Sequence, residues 1–135
     1  MPTIQTIYQG NLRTKATHVA SGNTLITDAP VDNNGKGEAF SPTDLVCAAL
    51  GSCMMTIMGI VAEREKIELR DTKFEIIKTM ASNPRKIAKI EIVFDMKANI
   101  SLSIEQQEKL KRAALTCPVA LSLHPDVEQV VSFTF

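Results

Sequence analysis

The chemistry this sequence offers is thiol chemistry. Cys53 stands in Gly51-Ser52-Cys53-Met54-Met55, and Cys117 directly precedes Pro118. A thiol attacks as its thiolate, and free backbone N–H groups at a helix start favour that form. Pro118 suits the first position of a helix, which puts Cys117 at a helix start. Two readings of Cys117 stand side by side: a thiol activated by the helix end, and an N-cap whose sulfur points inward. Cys53 also has two, a reactive thiol and a small apolar side chain packed within a helix. Cys47 lies six residues earlier, about 240° round a helix, so it faces elsewhere and is read as structural.

Other chemistries lack their residues. His18, His124 and three spread cysteines match no metal-ligand spacing, so no metal is expected. Gly35-Lys36-Gly37 lacks the rest of a phosphate loop, and no Gly-x-Ser-x-Gly or paired-carboxylate motif occurs. No cofactor is expected either. Fifteen Lys+Arg balance fifteen Asp+Glu, which gives no footprint for nucleic acid or an anionic membrane. Three cysteines do not make a disulfide framework, and the first ten residues do not read as a signal peptide. A cytoplasmic protein with reduced thiols follows as the expectation. With 135 residues, the chain is expected to form a single domain, 1–135, with a core of its own.

The elements that must position the thiols follow from the pattern. Thr3–Tyr8, Lys15–Ala20 and Thr24–Asp28 read as strands, with turns at Gly10-Asn11 and Ser21-Gly22-Asn23. Residues 29–40 read as a Gly/Asn-rich loop without helix. Ser41, Pro42 and Asp44 form a helix start of the capping-box kind, and the helix runs to about Lys66. From Val46 to Ala62 it is apolar almost all round, at the low end of the length a membrane span needs. It is read as a buried helix of a soluble protein. A helix without a polar face has to be covered on all sides, and one subunit of this size hardly covers ~37 Å of it. A second subunit is expected.

Lys73–Met80 and Ile87–Lys97 read as two further strands, the second with Ile90, Ile92, Phe94 and Met96 on one face. Asn83-Pro84 marks the turn between them. Ser103–Leu115 reads as an amphipathic helix with a Ser103/Gln106 capping box. A short helix from Cys117-Pro118 to Leu123 follows, and Val127–Phe135 is the last strand. The order predicts an α+β fold of antiparallel sheets around a long buried helix.

Residues 41–55, SPTDLVCAALGSCMM, and 116–123, TCPVALSL, resemble the two cysteine motifs of the OsmC/Ohr family, the osmotically inducible and organic-hydroperoxide-resistance proteins. The element order is similar over essentially the whole chain. The resemblance implies an intertwined homodimer with long central helices and two active sites at the subunit interface. It implies reduction of organic hydroperoxides, with Cys53 as the attacking thiol and Cys117 as the resolving thiol that closes a disulfide. A dithiol such as a lipoylated protein or a thioredoxin would restore the pair. An apolar pocket, lined by groups such as Met54 or Met55, would admit the substrate; both methionines are also ordinary core residues.

The chain departs from that pattern where Ohr members carry a Glu after the proline of the first motif, for here the residue is Thr43. Asp44, about 180° round the helix from Cys53, is read as a cap instead. Arg13 is the candidate for the activating arginine, being the one arginine before the long helix, and it reads equally as a surface residue of a turn. The leading expectation is therefore a thiol peroxidase of oxidative-stress defence. The alternatives are an OsmC-fold protein that binds a small molecule, and a thiol redox sensor with little turnover.

Overall fold

The computed structural model describes residues 1–97 and 101–135. They form two compact units, Met1–Val46 and Cys47–Phe135. Three strands lie in the first unit: β1 (Ile4–Gly10), β2 (Arg13–His18) and β3 (Thr24–Asp28). They form an antiparallel sheet in the order β1-β2-β3. The expected turns are present; the β2–β3 turn is closed by the His18 N–H to the Asn23 carbonyl at 2.8 Å. Thr27 and Asp28 are the buried residues of these strands.

The loop after β3 contains one 3-10 turn, Val31–Asn33, where the sequence reading expected none. Gly35 makes the turn possible, because a Cβ there would run into the Ala29 carbonyl. Helix α1 (Pro42–Glu65) then starts with its expected cap. The Ser41 N–H donates to Asp44 Oδ2 and the Asp44 N–H to Ser41 Oγ, each at 3.0 Å.

The second unit holds the rest of α1, β4 (Lys73–Ala81), β5 (Lys86–Asp95), α2 (Ile104–Leu115), α3 (Pro118–Ser122) and β6 (Glu128–Thr134). Its sheet has the order β4-β5-β6. Strand β5 is the middle strand, and its alternation decides which face is core. Ile90, Ile92, Phe94 and Met96 are all fully buried. Along α1 the buried residues Cys47, Leu50, Gly51, Met54, Met58 and Ala62 recur at helical spacing and make one stripe. Leu110 and Ala114 of α2 are fully buried in the same cluster. Rings of Phe74, Phe94, Phe133 and Phe135 stand next to one another at centroid spacings of 5.0, 5.3 and 5.9 Å. Lys109 Nζ reaches Glu65 Oε1 at 2.8 Å and ties α2 to the end of α1.

The sheets are not both antiparallel. Strand β6 runs parallel to β5, with Ile92 opposite Val131 and Phe94 opposite Phe133. The reason lies in the connection, since the chain leaves β5 and returns to β6 through α2 and α3. A helical crossover delivers a parallel neighbour, whereas a tight turn delivers an antiparallel one. The fold is accordingly mixed α+β with two sheets.

By length and composition α1 suffices to cross a membrane. Its stripe instead packs into the core cluster of the second unit. Parts of its remaining surface are open, Ile60 being 44% exposed.

Phe94 is the largest fully buried side chain, so Phe94→Ala is expected to cost about 3–5 kcal/mol of unfolding free energy. Val93→Ala on the opposite face, where Val93 is 41% exposed, is expected to cost well under half of that. Urea unfolding of the two variants against wild type checks both values.

Candidate functional site: a pair of neighbouring thiols

Cys117 sits between two helices. Thr116 closes α2, and Cys117 then takes an extended conformation, φ −68° and ψ 151°. The residue before a proline is pushed into that region, and Pro118 opens α3 at its first position. In this geometry the side chain folds back over the helix start, and Cys117 Sγ accepts the Ala120 N–H at 3.4 Å. The residue is fully buried. Of the two sequence readings, the inward-pointing N-cap is the one realised.

Its electrostatics follow from that burial. Desolvation pushes the Cys117 thiol above its ordinary pKa and is the largest influence. The Ala120 N–H pulls it back down, the hydrogen bond and charge of Cys53 push it up again, and the Val119 N–H works downward. The net direction is upward, so the helix start does not make Cys117 a standing thiolate.

Cys53 is a neighbour of Cys117, near enough to act on its titration. It lies on α1 at the margin of the buried stripe and is half-buried. None of the three cysteines is in a disulfide. Cys47 is 4% exposed and belongs to the core cluster, as the structural reading expects. The structure thus brings together two sulfurs that stand far apart in the sequence. Met54 is fully buried in the core, while Met55 is half-buried beside it. Among the described residues no cluster of His, Cys, Asp or Glu fit to hold a metal occurs. His18 Nδ1 pairs with Ser21 Oγ at 2.6 Å and His124 Nδ1 accepts the Asp126 N–H at 3.0 Å, both exposed.

In the first unit, Arg13 is committed to carboxylates. Its Nε and Nη2 donate to the two oxygens of Asp28 at 2.7 and 2.8 Å, a two-point fork. Glu38 Oε1 stands 3.7 Å from Nη2. Asp28 is 1% exposed and also accepts the Glu38 N–H at 3.1 Å. The fork therefore pins the loop after β3 to the β2–β3 hairpin. The Arg13 hydrogen bond holds the Asp28 carboxyl below its usual range, against the opposing pull of desolvation.

Residues 35–131 match the OsmC-like protein family. The chain belongs to that family. A candidate osmotic stress induced and detoxification response protein from Psychrobacter arcticus is 48% identical, with 99% of this chain and 96% of that one covered and a TM-score of 0.94. An organic hydroperoxide resistance protein OsmC from Legionella pneumophila is 20% identical over 100% of this chain and 98% of that one, at a TM-score of 0.71. A candidate organic hydroperoxide resistance protein from Vibrio cholerae, solved with captopril in one of its active sites, is 15% identical over 98% and 92%, at 0.73. The last two share the fold. No protein of curated function matches the chain. OsmC-like proteins are soluble, in keeping with α1 as a packing element.

Asp28 is the charged residue that the sequence reading of this OsmC-like protein missed. A signal for it exists. The Ser21-Gly22-Asn23 turn sets the hairpin register, and that register puts Arg13 opposite Asp28. Starting that strand at Lys15 left Arg13 outside it and hid the pair.

Because the Asp28 pKa is lowered in the fold, its stabilising effect is complete above the ordinary value of 3.8 and fades as pH falls through the lowered one. Asp28→Asn is therefore expected to be less stable than wild type at pH 7, with the gap closing as pH falls below 3.8 and through the lowered value. Urea midpoints across that range check this, and a constant gap contradicts it.

Proposed function

We propose that this OsmC-like protein reduces organic hydroperoxides with Cys53 and Cys117 in defence against oxidative stress. The observation that carries the reading is the pair of neighbouring thiols with unequal burial. Family membership supports a redox role in stress response.

The division of labour follows from access and proton affinity. Cys53 is the more open thiol and takes the peroxide. Its thiolate attacks one peroxide oxygen, the O–O bond breaks, and the alcohol leaves with a proton. Cys53 is then a sulfenic acid. Cys117, already beside it, loses its proton and attacks the Cys53 sulfur. The S–O bond breaks, hydroxide leaves as water, and a disulfide remains. One hydroperoxide and two thiols give one alcohol, one water and one disulfide. An external dithiol, of the lipoylated-protein or thioredoxin kind, returns the disulfide to two thiols. No cofactor or metal takes part.

Arg13 is the proposed activating cation, oriented by Asp28. Asp28 and Glu38 share its charge, which limits how far it stabilises a thiolate. The working form is proposed to be a cytoplasmic homodimer, with the second copy covering the open apolar surface of α1. Since the Cys117 thiol is raised, the closing step speeds up as pH rises toward that value, while more of Cys117 ionises.

The test is a free-thiol count on reduced protein before and after about one equivalent of an organic hydroperoxide. Wild type is expected to lose two thiols and Cys117→Ser one. Cys53→Ser is expected to lose none and to leave the peroxide unconsumed. If Cys53→Ser reduces peroxide at the wild-type rate, the assignment is wrong. Three thiols remaining in wild type turn the reading toward a small-molecule binding protein. Two thiols lost once, with no dithiol able to restore them, turn it toward a sensor.

A further inference from the structure

Helix α1 makes its tightest glycine contact with β4 at Gly51. A Cβ at that position would stand 2.6 Å from Ile76 Cδ1, 3.1 Å from Phe74 Cε2 and 3.4 Å from Ile76 Cγ1. Glycine within a helix costs roughly 1 kcal/mol relative to alanine, so its use there calls for a reason. Gly59, in the same helix, shows the contrast: a Cβ there would meet nothing within 4 Å. At Gly51 the missing methyl is what lets the helix lie close to β4.

The wall that Gly51 meets is firm. Phe74 pairs with Phe94 across β4 and β5, and Ile76 pairs with Ile92. Phe94 and Ile92 are both fully buried. Behind the two side chains that a methyl would strike lies the packed core, which gives way only by small amounts.

We propose that Gly51 is a positioning residue for the disulfide-forming step. It sets the depth of α1 on the sheet, and with it the place of Cys53, two residues on, against Cys117. The inference rests on the thiol-pair reading above. Cys117 is held independently, by the end of α2 and by its own cap on α3. A shift of α1 therefore changes the separation of the two sulfurs rather than moving them together. A disulfide tolerates little change: S–S is about 2.05 Å and the Cβ atoms stand about 3.5–4.5 Å apart. The first step has no such constraint, because the peroxide is free to follow Cys53.

The consequence is a split between two rates. Gly51→Ala is expected to form the Cys53 sulfenic acid as fast as wild type and to close the disulfide about tenfold more slowly. Ile76→Val removes the Cδ1 methyl that the new Cβ would strike. Alone it is expected to react like wild type; combined with Gly51→Ala it is expected to restore most of the lost rate. A general loss of stability would not show this pattern, because it would slow sulfenic acid formation and disulfide closure alike.

The experiment is a single turnover with tert-butyl hydroperoxide on the full chain. Sulfenic acid is trapped with a 1,3-dione and read by mass spectrometry, disulfide is read as thiol loss, and circular dichroism checks the fold. Accumulated sulfenic acid in Gly51→Ala, relieved in the double variant, supports the proposal. A folded Gly51→Ala that closes the disulfide at the wild-type rate overturns it, and so does a folded double variant that stays slow. Should Gly51→Ala alone fail to fold, the double variant decides on the same terms. If wild type forms neither sulfenic acid nor disulfide, the thiol-pair reading falls and this inference falls with it; unequal wild-type and variant rates are then never observed.

Discussion

Two sulfurs form a bond only when two backbones are held to within about an ångström of the right separation. In this protein those backbones belong to α1 and to the α2–α3 junction, and the sheet of the second unit carries both. The fully buried row Ile90, Ile92, Phe94 and Met96 on β5 supplies the surface. The stripe of α1 and the inner face of α2 meet in that core. Close-packed interiors resist small displacements, so a core of this kind is also a ruler. Position enters the chemistry through packing, well away from either sulfur.

Burial then decides what each thiol is suited to. A fully buried sulfur keeps its proton longer, and for Cys117 desolvation outweighs the two backbone N–H groups aimed at it. The sequence left the opposite weighting open, because a cysteine before a proline at a helix start is where a lowered pKa is often found. The dipole argument is sound for an exposed helix end. It fails here because α3 is a single short helix, Pro118–Ser122, and its start lies inside the core. A protonated partner beside Cys53 is not a competing charge, so the two sulfurs stand together without like-charge repulsion.

Much of this was legible beforehand, and the legible parts share a cause. The Ser41/Asp44 and Ser103/Gln106 caps are written in adjacent residues, and both form. The β5 face is written in strict alternation, and all of its inward residues are buried. What escaped was long-range. Nothing local says that β6 runs parallel to β5, since that follows from where the α2–α3 crossover returns the chain. Nor does any local pattern say that Gly51 faces Ile76. The candidate thiols were visible as types and motifs. That they are neighbours, with Cys117 the more buried, became visible only in three dimensions.

The family's usual glutamate is absent at Thr43, and the arginine that would partner it is paired with Asp28 instead. The pair fixes a loop, and fixing a loop and stabilising a thiolate draw on the same positive charge. An arginine doubly engaged by one carboxylate has less of that charge to lend to a sulfur. Weak activation slows the attack on peroxide, but it does not slow the closing step, which depends on proximity. Under the proposed function such a protein would have its slow step at the first encounter with the oxidant and a fast step afterwards. The sulfenic acid would then be short-lived, over-oxidation to the sulfinic acid would have little time to occur, and each peroxide met would end as a disulfide that a dithiol can reverse. Tight packing of α1 at Gly51 favours that fast closure, and with it a site that is hard to damage.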